Sequence, residues 1–90
     1  MNQEVKLAYY RKNDWDQLMK IIDDRESMHD TWEEWLQTYN NAKKSLKAQG
    51  FKVYDITIDL NDLKKYCKDR GLKNNGKTRS MYVTDLPVPD

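Results

Sequence analysis

Trp15, Leu18, Met19 and Ile22 recur at i, i+3, i+4 and i+7, the apolar stripe of an amphipathic helix. Asn13 is a suitable N-cap for it, and Asp14 and Asp16 suit the positive helix end. The polar run Asp23-Asp24-Arg25-Glu26 predicts its end near Asp24. A second, longer stripe runs through Trp32, Trp35, Leu36, Tyr39, Ala42 and Leu46. Ser27 or Asp30 is the expected cap, Asp30 with Glu33 resembles a capping box, and Gly50 is a stop signal. The spacing predicts a helix over residues 30–48, with Lys43, Lys44 and Lys47 near its negative end.

The period then changes. In Phe51–Asp59, FKVYDITID, Tyr54, Ile56 and Ile58 alternate with polar residues, which predicts a strand over 52–58. Asn61 or Asp59 starts a third helix that ends at Gly71, with Leu60, Leu63 and Cys67 inward and Lys64, Lys65 and Lys68 outward. Residues 79–86 suit either a strand or a helix. Arg79, Tyr82, Val83 and Leu86 at helical spacing favour the helix, stopped by Pro87 and Pro89. Residues 5–10, VKLAYY, suit a strand or an early helical turn equally. The expected fold is α+β and mostly helical, in the order helix, helix, strand, helix, then helix or strand. It forms one small domain over 1–86 with a loose tail at 87–90. The strand needs a partner, which is 5–10, the C-terminal segment, or its own copy in a second chain.

Composition modifies this picture in two ways. A 90-residue chain buries only about 60–65% of its unfolded surface. Three Trp, six Tyr and one Phe compensate for a hydrophobic fraction of 38%, since each large ring buries about 150–250 Å². The lone Cys67 excludes an intramolecular disulfide and a Cys-based zinc cluster. The polar start after Met1 and the lack of a long apolar run point to a cytoplasmic chain with no membrane span. Net charge is +1 but uneven: residues 1–40 carry −4 and residues 41–90 carry +5.

The most chemical-looking stretch is Gly71–Thr78, GLKNNGKT, which fits the phosphate-binding pattern G-x-x-x-x-G-K-[ST]. That loop needs a preceding strand, and here a helix precedes it. The twelve residues after Thr78 are also too few to supply a further strand with a Mg²⁺-binding Asp. The expectation is therefore that Gly71 closes the third helix and Asn75-Gly76 makes a turn. His29 with Glu33 lacks further ligands for a metal. Cys67 has Lys64 and Lys68 nearby but sits on the apolar side of its helix, as a small hydrophobe does. Asp14, Asp16, Asp23, Asp24, Glu26, Glu33 and Glu34 read as solvated faces and caps. No catalytic residue, metal ligand or cofactor is expected.

Two surfaces remain as candidates. Trp32, Trp35, Tyr39 and Tyr54 form an interaction surface if one of the indoles sits at the edge of the core or in a dimer interface. Lys64, Lys65, Lys68, Arg70, Lys73, Lys77 and Arg79 combine a helix face with a turn-rich loop, which suits a polyanion such as nucleic acid. Met28, Thr31-Trp32-Glu33-Glu34-Trp35-Leu36, Gly50, Val53, Ile58-Asp59, Leu63, Tyr66-Cys67, Gly71, Arg79 and Tyr82 together resemble a pattern of short, uncharacterised bacterial proteins. The resemblance spans residues 28–83 and implies a bacterial, cytoplasmic, non-enzymatic small protein. It carries no site residues over, and the lysine-rich 64–77 and the GKT sequence lie outside it. The expected function is protein–protein or self-association, a homodimer included, through the aromatic helix and the strand. The alternative is a nucleic-acid accessory role through 64–79.

Overall fold

A computed structural model describes residues 3–88. Strand β1 (Glu4–Tyr9) leads through a 3-10 turn at Lys12–Asp14 into helix α1 (Trp15–Ile21). A second 3-10 turn, Arg25–Ser27, precedes helix α2 (Trp32–Ala48). Strand β2 (Lys52–Thr57), helix α3 (Leu60–Arg70) and helix α4 (Gly76–Asp85) complete the order. The fold is α+β and mostly helical, and both segments left open by the sequence are now assigned. Residues 4–9 are strand and 76–85 helix.

The two strands pair in parallel, from Glu4 opposite Lys52 to Tyr9 opposite Thr57. Alternation sends Leu7, Tyr9 and Asp55 to one face of the ribbon and Lys6, Ala8 and Ile56 to the other. On the first face, the Tyr9 ring meets Trp35 and Tyr39 of α2 edge-on, at 5.6 Å each. On the second, the Lys6 ammonium donates to the carbonyls of Thr84 (3.1 Å) and Leu86 at the end of α4. The ribbon is thus covered on both faces, as parallel strands require. Leu18, Ile58, Leu63 and Val83 are the most deeply buried side chains and join four elements or their flanks.

Local chemistry moves three predicted boundaries. Helix α2 is capped by Thr31, not by Ser27 or Asp30. Thr31 is extended (φ −127, ψ 154) and its hydroxyl accepts from the Glu34 N–H at 3.1 Å, so the cap lies one residue later than Asp30. Helix α1 stops at Ile21, short of Asp24, because Ile22 turns extended (φ −83, ψ 153). From there the Asp23 N–H reaches the Asn74 carbonyl at 2.8 Å. Helix α4 begins at Gly76, three residues before the expected start at Arg79. Helix α3 follows its sequence signals: Asp59 caps it and Gly71 closes it in the left-handed region (φ 63). Leu86 packs on the core. Of the expected tail at 87–90, residues 89 and 90 lie outside the described residues.

Candidate functional site

The GLKNNGKT segment folds around an internal anion. Gly71 N–H donates to the Cys67 and Lys68 carbonyls, ending α3. Asn75 is the N-cap of α4, its side-chain oxygen accepting from Thr78 N–H at 3.0 Å. Asn75-Gly76 is therefore a helix start, not the turn expected from the sequence. The Gly76 N–H, where a phosphate loop would present its donors, points at the Asp24 carboxylate at 3.0 Å. Asp23 accepts from the Asn74 N–H at 2.7 Å, fastening the same loop. At the start of α4 the Gly76 N–H is thus held by the Asp24 carboxylate and the Thr78 N–H by the Asn75 side chain. The Asn74 and Gly76 N–H groups are therefore not free to cradle a phosphate.

Arg79 is the centre of this arrangement and corrects a sequence expectation. It was expected among the exposed polyanion contacts, yet it is only 2% exposed. Its terminal nitrogens bond to both Asp24 oxygens at 3.0 and 2.8 Å, and Nε donates to the Tyr10 hydroxyl at 2.8 Å. Nη1 also reaches the main-chain and side-chain oxygens of Asn74, both at 3.1 Å. Burial alone would raise the Asp24 pKa. The Arg79 guanidinium and the Gly76 N–H outweigh it and hold the carboxyl below its usual range. Burial raises the Tyr10 pKa against the opposing pull of Arg79.

The aromatic candidates divide between core and edge. Trp35 and Tyr39 are buried, and Trp35 touches Tyr9, Tyr10, Trp15, Trp32 and Tyr39 within 6.3 Å between ring centres. Trp32 is half-buried, with Nε1 donating to the Tyr10 carbonyl at 2.8 Å, so it is the edge ring. Tyr54 is half-buried under the Lys52 ammonium, 5.3 Å from the ring centre. The strand expected to offer an unpaired partner surface is paired to β1 on one side.

Sequence reasoning did not find the group formed by Tyr39, Lys43 and Asp55. The Tyr39 hydroxyl donates to one Asp55 oxygen, and the Lys43 ammonium lies 2.6 Å from the other. Burial, followed by the Asp55 charge, raises the Tyr39 pKa. Burial opposes ionisation of Asp55, but Lys43 and Tyr39 prevail and lower its pKa. The four-residue spacing of Tyr39 and Lys43 was legible, but their acceptor on β2 was not. The group ties α2 to β2.

The remaining sequence candidates are placed as follows. Cys67 is buried, and burial together with the Asp23 charge pushes its thiol up against the opposing effect of Arg79, away from nucleophilic use. His29 Nε2 lies 3.1 Å from the Thr38 hydroxyl. No group of three or more His, Cys, Asp or Glu among the described residues has the geometry to hold a metal ion. No helix among them is long and apolar enough to cross a membrane.

The surface of the α3–α4 pair is what remains available. Lys64, Lys65 and Lys68 fall within about 100° of helix arc, opposite the buried Leu63, Tyr66 and Cys67. Lys73 follows in the connector and Lys77 in the first turn of α4. All five lysines are exposed and none forms an ion pair among the described residues. Arg70 stacks on Tyr66, 3.9 Å from the ring centre. Along the outer face of α4, Lys77, Ser80, Met81, Thr84 and Asp85 line an open groove of about 480 Å³, where Met81 is 42% exposed. Tyr66 stiffens this pair by packing on Tyr82 at 5.3 Å and donating to Asp85 at 3.0 Å. In comparisons with protein-family models, curated proteins and solved structures, the chain matches none.

Proposed function

We propose that the chain is a small non-enzymatic interaction protein that associates with itself or another protein through the outer face of α4. One observation carries this reading: a large apolar side chain, Met81, stands in an open groove rimmed by Lys77, Ser80, Thr84 and Asp85. An apolar centre inside a polar rim is the usual anatomy of a protein interface, and Met adapts well to varied partners. The internal pairing of Arg79, Asp24, Tyr39 and Asp55 supports the non-enzymatic part, because these polar groups are already bonded to one another. A bacterial cytoplasm suits the reading, since a lone buried thiol persists there unpaired.

Light scattering across a concentration series tests the self-association branch. The expected mass rises above the 10.8 kDa of one chain, and Met81→Glu returns it to that value with an unchanged circular dichroism spectrum. A monomer at high micromolar concentration sinks that branch. The second reading, nucleic-acid association, is favoured by the lysines of α3 and its connector, which form no ion pair among the described residues. It requires DNA or RNA binding that weakens steeply with salt, and that drops when Lys64, Lys65 and Lys68 are replaced by Gln.

A further inference from the structure

A second surface, on the opposite side of the charge balance, points to a different ligand. Where α1 and α2 begin, Trp15 and Trp32 line a cleft of about 270 Å³ together with Asp16, Asp30 and Glu33. Trp32 is fixed by its bond to the Tyr10 carbonyl, and Trp15 is held against Trp35 at 6.0 Å between ring centres. The aromatic part of the cleft is therefore built into the core and set before any ligand arrives. Within it the Lys12 ammonium lies 2.8 Å from Glu33 and 5.8 Å from the centre of the Trp32 ring. An alkylammonium group thus already receives a carboxylate and an aromatic face here. The carboxylates exceed what Lys12 satisfies. Asp30 is 3.6 Å from Arg25, and Asp16 has no ion-pair partner among the described residues.

We infer that this cleft recognises a lysine or arginine side chain on a partner peptide, with Lys12 as an exchangeable internal occupant. The exchange is inexpensive because the Lys12–Glu33 pair is solvent-exposed, and exposed ion pairs are weak. An incoming cation would meet the same indole face and Asp16, which no ion pair engages among the described residues. The inference does not depend on the α4 groove, which involves different residues, so either can fail alone.

The test is a titration with Nα-acetyl-lysine amide and Nα-acetyl-arginine amide, using the uncharged norleucine analogue as control. The Trp32 indole N–H resonance is the readout. The expected result is a saturable shift with both cationic probes and none with norleucine. Lys12→Ala should tighten binding about fivefold by removing the competitor. Asp16→Asn combined with Glu33→Gln should abolish the shift while leaving the amide spectrum folded. No shift in Lys12→Ala, an equal response to norleucine, or binding that survives loss of the two carboxylates would each overturn the assignment.

Discussion

At the scale of single residues, Arg79 and Asp24 show how a charge leaves the surface. A buried guanidinium is stable only when every donor is used, and here Asp24, Tyr10, Asn74 and the Met28 sulfur at 3.5 Å use them. Removing one member strands the other, so Asp24→Asn should cost about 3 kcal/mol in urea denaturation. The pH dependence follows from the depressed Asp24 pKa. Its contribution is full above the unfolded carboxyl value, about pH 4, and is lost as pH falls through the lower folded value. Asp24→Asn should therefore flatten the acid limb of the stability profile, and an unchanged limb would refute the assignment. Lys77 makes the opposite case, being exposed and unpaired among the described residues. Because Asp24 holds the adjacent Gly76 N–H, millimolar Mg²⁺-ATP or Mg²⁺-GTP should leave the melting temperature unchanged. A nucleotide-dependent rise that Lys77→Ala removes would restore the phosphate-loop reading. The burial of Arg79 was legible in part, since it shares a helical stripe with Tyr82 and Val83. Its partner fifty-five positions earlier was not.

At the scale of elements, caps and breakers explain most of what the pattern predicted. Both long-stripe helices, α2 and α3, were legible because each carries an apolar face, an N-terminal acceptor and a closing glycine signal. The choice among neighbouring caps was not legible, since Asp30 and Thr31 both suit the role by type. The structure assigns it to Thr31, whose hydroxyl meets Glu34 N–H. Thr31→Ala should then cost about 1 kcal/mol in thermal or urea unfolding, against a few tenths for Asp30→Ala. Equal costs would return the cap to an ambiguous position. The early end of α1 had no local signal. Asp23 and Asn74 bind each other across fifty-one positions, and such a tertiary bond overrides propensity without marking the sequence. The same reasoning separates the two surfaces. The α3 lysines were legible from one helix's period. The Trp15–Trp32 cleft was not, because Lys12, Asp16 and Glu33 belong to different segments brought together only by folding.

At the scale of the whole molecule, the fold depends on one non-local pairing. Every partner in the β1–β2 ladder is forty-eight positions away, so its loop-closure entropy must be met before the ladder contributes. The sequence offered three partners for 52–58, and nothing local distinguishes them. The choice of 4–9 is a packing result. Only that segment brings Tyr9 onto Trp35 and Tyr39, and places Tyr10 where its carbonyl accepts from Trp32 and its hydroxyl from Arg79. The first strand thus completes the sheet, the aromatic cluster and the Arg79 network together. Deleting residues 1–10 should therefore abolish the cooperative urea transition and the near-ultraviolet dichroism of the packed rings. Deleting residues 87–90, beyond the last helix, should preserve both. A sigmoidal transition surviving the first deletion would mean that β2 and the helices form a core without β1. The parallel ribbon would then be an accessory to the fold, and the Tyr10-centred contacts would carry far less of its stability than their geometry indicates.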